Sequence, residues 1–305
     1  MAGKKSSILT VLVILSITAI FLGTVTFITL KVLGPSSRLS FHDRIGVITI
    51  NGPITESRKI TESIIKLKKD GKIKAIVLRI NSPGGSVGAT QEIYREIKKT
   101  VQSKHVVASL GDVAASGGYY IAAAADRIVA NPGTITGSIG VLMHFVQLKN
   151  LLDKVGIGLE VLKSGEFKDI GSPHRKMTER EKELMGALIA DIQKQFVEAV
   201  STGRHLPLEK IREIADGRVF TGSQAKKLGL VDSLGNFQDA VDTAKSMSGI
   251  RGDVTLVYPQ KEELDLWDLL FNRASGMLSE LTRSAGTRIE YRWQGLPGQH
   301  VKGSY

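Results

Sequence analysis

Lys74-Ala-Ile-Val-Leu-Arg-Ile-Asn81, running straight into Ser82-Pro-Gly-Gly-Ser86, is the stretch from which the fold can be read. Apolar residues fill it almost without a break, the mark of a strand covered on both faces. The two glycines after Pro83 allow the backbone to turn its N–H groups toward a ligand. Working outward, strand-like and helix-like stretches alternate. Residues 46–51 read as a strand, and residues 55–69 place Ile60, Ile64, Ile65 and Leu67 among Lys and Glu, as a surface helix does. Downstream come a helix at 89–103, a strand at 106–110, a helix led by Ser116 and a strand at 127–130. Such alternation implies parallel strands joined by crossover helices, an α/β fold.

Ser116 lies in Gly111-Asp-Val-Ala-Ala-Ser-Gly-Gly-Tyr-Tyr120. A serine flanked by Ala and Gly fits a sharp strand-to-helix turn, with its hydroxyl exposed and the next N–H free to hold an oxyanion. Small residues around a serine also occur in any tightly packed turn, so this run alone leaves both readings open. Farther on, residues 159–162 read as a short strand delivering Lys168 in Lys163-Ser-Gly-Glu-Phe-Lys-Asp169. A long helix over 178–202 opens with the capping box Thr178-Glu-Arg-Glu181, and short helices follow at 209–215 and 223–228.

Taken in order, Asn-Ser-Pro-Gly-Gly-Ser, Ala-Ala-Ser-Gly-Gly-Tyr-Tyr-Ile-Ala, Thr136-Gly-Ser-Ile-Gly-Val141, Lys-Ser-Gly-Glu-Phe-Lys-Asp, Gly217-Arg-Val-Phe-Thr-Gly222 and Ala225-Lys-Lys-Leu-Gly-Leu-Val-Asp232 resemble the short bacterial form of signal peptide peptidase A, a membrane-anchored Ser-Lys protease. The resemblance runs from about residue 43 to about 248. It implies a crotonase/Clp-protease-like superhelix of strand-strand-helix units, with Ser116 as nucleophile, Lys168 as general base and Ser138 holding the lysine. The backbone N–H groups of Gly85 and Gly117 would be the oxyanion donors. A lysine can act as base only where a dry wall strips its proton, a role suited to the apolar lining of a peptide groove. The resemblance further implies hydrophobic peptide substrates, chiefly remnant signal peptides, and homo-oligomeric rings whose dyads are shared between subunits. No metal or cofactor is implied.

Because the Clp protease uses Ser-His-Asp on this fold, His144 is a rival base. It sits in Val141-Leu-Met-His-Phe-Val146, a strand-to-helix segment where a half-buried packing role is the simpler account. Two other function classes compete. A crotonase-type acyl-CoA enzyme would share the oxyanion geometry but has no use for a Ser-Lys pair, and a non-catalytic scaffold leaves Ser116, Ser138 and Lys168 unexplained. A related membrane serine protease acting on a stomatin-like partner is the nearest alternative.

The 305 residues carry a formal charge of +11 and no cysteine, which excludes disulfides, thiolate metal sites and cysteine catalysis. Basic residues cluster at 31–74, 98–104 and 175–182 without the interleaved aromatics of a nucleic-acid platform, so no nucleic-acid partner is expected. Residues 1–7 include Lys4 and Lys5, and residues 8–30 are uncharged. As a helix the latter would measure about 34 Å, enough for a bilayer core about 30 Å thick, and too long for a secretory leader. A single transmembrane anchor in contact with lipid is therefore expected, with a cytoplasmic start and the catalytic domain on the periplasmic or extracellular side of the inner membrane. A linker at 31–42 then leads to a peptidase domain over 43–250. Within 251–305, residues 261–285 form a broad apolar face suited to packing on a neighbouring subunit or, as the alternative, to contact with a membrane surface, and residues 295–305 read as an exposed tail.

Overall fold

The computed structural model describes residues 14–26, 43–259 and 289–293. The chain divides into two units, residues 1–42 and 43–305. In the first, residues 14–26 are helical, with Ile14, Leu15, Ile17, Ile20, Phe21 and Leu22 exposed. The hydroxyls of Thr18, Thr24 and Thr26 donate back to carbonyls four residues earlier, which hides their polar groups within the helix. Among the described residues no helix is long and apolar enough to cross a membrane. Residues 8–13 and 27–30 of the expected span, the linker at 31–42, the apolar segment at 261–285 and the tail at 295–305 lie outside the described residues.

The second unit is built on a mixed α/β sheet. Its strands are β1 (Arg44–Asn51), β2 (Ile73–Ser82), β4 (His105–Ala115), β5 (Arg127–Ala130), β6 (Ile135–Gly137), β8 (Val219–Thr221), β9 (Ser233–Leu234) and β10 (Thr255–Val257). The main path runs β10-β1-β2-β4-β5-β9, every neighbour parallel. The expected crossovers are present: α1 (Arg58–Lys69), α2 (Val87–Thr100) and α3 (Gly117–Ala122) connect successive strands. A second sheet is antiparallel, with β11 (Ile289–Arg292) between β3 (Gly84–Ser86) and β7 (Leu142–Met143).

Both faces of β2 are covered, as its nearly continuous apolar run implies. Ile76, Leu78 and Ile80 join the larger core with Ile93 and Ile97 of α2, while Ala75 and Val77 point the other way onto Ala240, Val241 and Ala244 of α8 (Phe237–Met247). Full burial of each Ile or Leu contributes about 1.5–3 kcal/mol, so β2 anchors both halves of the core. β4 is long enough to serve two partners. Its first half pairs with β5, and its second half pairs with β6 through Val113↔Ile135, Ala114↔Thr136 and Ala115↔Gly137. Past that split β4 ends at Ala115, and Ser116 comes next.

The long helix α5 (Glu179–Arg204) starts at the Thr178/Glu181 capping box, and α6 (Leu208–Ile214) and α7 (Gly222–Leu228) match the short helices read from the sequence. Residues 144–162 depart from expectation. The strand expected at 159–162 is absent, because residues 157–163 have no pairing partner, and Leu162 is 94% exposed. No helix begins at His144; α4 starts later, at Lys149–Lys154, and His144 is exposed rather than half-buried. Val146, Leu151, Val155, Ile157, Leu159 and Val161 are also exposed, so among the described residues this apolar arm is left uncovered.

Candidate active site

Ser116 links β4 to α3 with φ 54° and ψ −118°, a conformation non-glycine residues adopt at a cost of about 1–3 kcal/mol. Two hydrogen bonds hold it there. Its N–H donates to the Gly137 carbonyl at 2.8 Å, and its carbonyl accepts from the Tyr120 N–H at 2.8 Å. The small neighbours are forced by packing: a Cβ on Gly117 would lie 2.9 Å from Thr90 Oγ1, and one on Gly118 would lie 2.8 Å from the Ser82 carbonyl. A sharp strand-to-helix turn presenting a serine is the geometry of a nucleophile elbow.

Ser138 occupies the equivalent place on the neighbouring strand. Ala115 pairs with Gly137, so Ser116 and Ser138 both follow a matched pair in parallel strands. Ser138 also has positive φ, 51°, and its N–H donates to the Arg218 carbonyl at 2.8 Å. Both serines are buried, at 1% and 7% exposure.

The Pro-Gly-Gly turn completes this end of the sheet. Gly84 has φ +96° and no room for a side chain: a Cβ would lie 2.0 Å from the Tyr291 carbonyl oxygen and 2.6 Å from the Gly117 nitrogen. The same oxygen lies 3.1 Å from the Cβ position of Gly117. In the antiparallel β3/β11 ladder the Trp293 N–H donates to the Pro83 carbonyl at 2.7 Å, and Gly85 is paired with Tyr291. Hydrogen-bonded pairs recur at every second residue, so the Gly85 N–H faces the Tyr291 carbonyl. A carbonyl oxygen thus sits beside Gly84, Gly85 and Gly117, one residue from Ser116.

Lys168 carries an amine bonded to none of these groups. Its side chain is exposed, and among the described residues it makes no hydrogen bond or ion pair. The loop that carries it is nonetheless firmly tied. Arg175 donates to Asp169 at 2.7 and 2.8 Å and to Glu181 at 2.7 Å, while Lys163 donates to Asp169 at 2.6 Å. Glu181, 1% exposed, also accepts the Thr178 N–H at 2.8 Å. The Arg175 guanidinium holds the Glu181 carboxyl down to about 2 and keeps Asp169 well below the usual carboxylate range, with Lys163 assisting at Asp169. Ion pairs therefore bracket Lys168 on both sides and fasten its loop to the first turn of α5.

Sequence reasoning missed three features of the site. The Arg175 cluster joins residues too scattered to form a motif. Thr90, whose buried hydroxyl has no hydrogen-bond partner among the described residues, looked like an ordinary helical residue. The strand β11 could have been found, since Ile289-Glu-Tyr-Arg292 alternates apolar and charged residues.

The sequence model of peptidase family S49 matches residues 98–251, a span that includes Ser116, Ser138 and Lys168, and the Clp protease model matches residues 37–133. A protein of Synechocystis sp. named as a protease is 44% identical over 229 residues, covering 75% of this chain and 80% of that one. The chloroplastic serine protease SPPA of Arabidopsis thaliana is 34% identical over 269 residues, 84% of this chain and 39% of the plant protein. Protease 4 of Salmonella typhi is 39% identical over 217 residues, 68% of this chain and 35% of the bacterial protein. With half of its length matched by the family model and this extent of likeness to a protease of similar length, the chain belongs to peptidase family S49.

Proposed function

We propose that this protease is a membrane-anchored serine endopeptidase in which Ser116 attacks the peptide carbonyl, the Gly85 and Gly117 N–H groups hold the resulting oxyanion, and Lys168 is the general base oriented by Ser138. The carrying observation is the Tyr291 carbonyl lodged beside Gly84, Gly85 and Gly117, next to the strained backbone of Ser116. Donors fixed around the place where charge develops supply the largest share of catalysis in acyl transfer.

Lys168 reaches a serine in this scheme across a subunit boundary. In a closed head-to-tail ring, Lys168 of the partner subunit enters the cleft, and the exposed apolar arm at 144–162 packs on the neighbouring copy. That burial excludes water from the lysine. The substrates are hydrophobic peptides, remnant signal peptides in particular, which an anchor formed by residues 8–30 would place the domain to meet at the outer side of the inner membrane.

A fluorophosphonate probe tests the assignment directly. It should label the wild-type protein at Ser116 and leave Ser116→Ala unlabelled. Labelling at another serine, or cleavage of peptides by Ser116→Ala at the wild-type rate, would refute it.

A further inference from the structure

The short segment that carries Ser138 leans on the turn between α6 and β8. Gly137 pairs with Val219 in the antiparallel β6/β8 ladder, the Ser138 N–H donates to the Arg218 carbonyl at 2.8 Å, and the Ile139 carbonyl accepts the Gly217 N–H at 3.1 Å. A Cβ on Gly140 would lie 3.2 Å from the Gly217 Cα, so the two stretches meet backbone to backbone. The strained Ser138, with φ 51°, therefore sits only as firmly as residues 215–219 do. Within that turn the Arg218 side chain donates to Asp216 at 2.8 Å, but both residues are exposed, and an exposed pair holds a backbone weakly.

Gln193 closes the contact from the side of α5. Its Nε2 donates to the Ala215 carbonyl at 2.7 Å and, at a longer 3.4 Å, to the Ile139 carbonyl. One amide thus bridges the two stretches that meet at Ser138. Gln193 Oε1, by contrast, is buried and has no hydrogen-bond partner among the described residues. A buried acceptor left unpaired works against stability, which offsets part of what the two donors contribute. What the amide supplies distinctively is a fixed relation between Ala215 and Ile139. The same helix is bonded at its first turn to the loop of Lys168, through Arg175 and Glu181. Glu181 precedes Gln193 by twelve residues, about 18 Å along a helix. A single rigid element is therefore fastened to the loop that bears the lysine and to the turn that bears Ser138.

We infer that Gln193 is a positioning residue for the peptidase reaction: through the Ile139 and Ala215 carbonyls it locks the turn of Ser138, and so the direction in which the Ser138 hydroxyl meets the lysine amine. This rests on the reading of Ser138 as the group that orients the base. Gln193 touches neither substrate nor the reacting atoms, and its effect passes entirely through Ser138.

A double-mutant cycle on the full chain, followed by peptide cleavage, tests the inference. Gln193→Met keeps the length of the side chain and removes both donors. It should lower kcat about tenfold and leave KM within about twofold of the wild type, because binding of the peptide is untouched. In a Ser138→Ala background the same substitution should change kcat by less than about twofold, since the residue through which it acts is already gone. Gln193→Asn, whose amide falls one methylene short of Ala215, gives the same comparison if Gln193→Met does not fold by circular dichroism. An equal loss of kcat in both backgrounds, with the proteins folded, would show that Gln193 acts independently of Ser138 and would overturn the inference. So would wild-type kcat in folded Gln193→Met. A wild-type rate in Ser138→Ala alone would instead remove Ser138 from the proposed mechanism, and this inference with it.

Discussion

Ser116 and Ser138 stand side by side at the ends of two parallel strands, each one residue past the Ala115↔Gly137 pair and each with a backbone in the left-handed region. Neighbouring strands lie about 4.8 Å apart, so the two side chains leave the sheet from adjacent points. Each strained residue is held by its own N–H, bound to the Gly137 and Arg218 carbonyls respectively.

Ser116→Ala and Lys168→Ala should each lower peptide cleavage by about a thousandfold or more while leaving the thermal transition near that of the wild type. Ser138→Ala should cost less, and His144→Ala, which alters an exposed side chain, should retain most activity. Steady-state kinetics alongside circular dichroism would check the set, and inactivation by His144→Ala with the fold intact would move the base to histidine.

Mixing tests the subunit-shared dyad. Ser116→Ala and Lys168→Ala proteins, each inactive alone, should regain activity when dissociated and reassembled together, with about one site in four combining an intact serine with an intact lysine by random neighbour choice. Mixed rings without activity would confine both residues to one protomer.

The Glu181 carboxyl, held at about 2 by Arg175, gives a pH-dependent contribution of known sign. A depressed carboxyl stabilises the folded state fully above the unfolded value of about 4.3, and the effect is lost as pH falls toward 2. Glu181→Gln should therefore melt below the wild type at pH 6, and the gap should narrow between pH 4 and pH 2. A gap of constant size across that range would show that the carboxylate charge contributes nothing to holding the lysine loop.

Two glycines of α5 should respond oppositely to alanine. At Gly203 a Cβ would lie 1.9 Å from the Ala123 carbonyl oxygen, so Gly203→Ala should destabilise by about 1–3 kcal/mol. At Gly186 a Cβ meets nothing within 4 Å, and Gly186→Ala should stabilise by about 0.5–1 kcal/mol through helix propensity alone. Chemical denaturation of both variants decides whether close approach of α5 to α3 is as tight as described.

Local rules sufficed wherever a residue's role depended on its near neighbours in the chain. The apolar residues that fill most of 74–81 read as a strand covered on both sides, and Thr178 with Glu181 three residues on reads as a helix start, as both are. The run Ala114-Ala-Ser-Gly-Gly118 announces a turn too crowded for larger side chains, and the clashes awaiting a Cβ on Gly117 and Gly118 bear that out. Tertiary structure alone decided which distant segments meet. That Ser138 stands beside Ser116 follows from the split pairing of β4, and that Tyr291 fills a pocket of Tyr120 and Phe196 follows from β11 joining an edge strand some two hundred residues earlier in the chain. The failed strand at 159–162 has the same cause in reverse: an apolar segment becomes a strand only where an edge is free to pair with it, and backbone hydrogen bonds between strands are made in space, with no trace in local sequence.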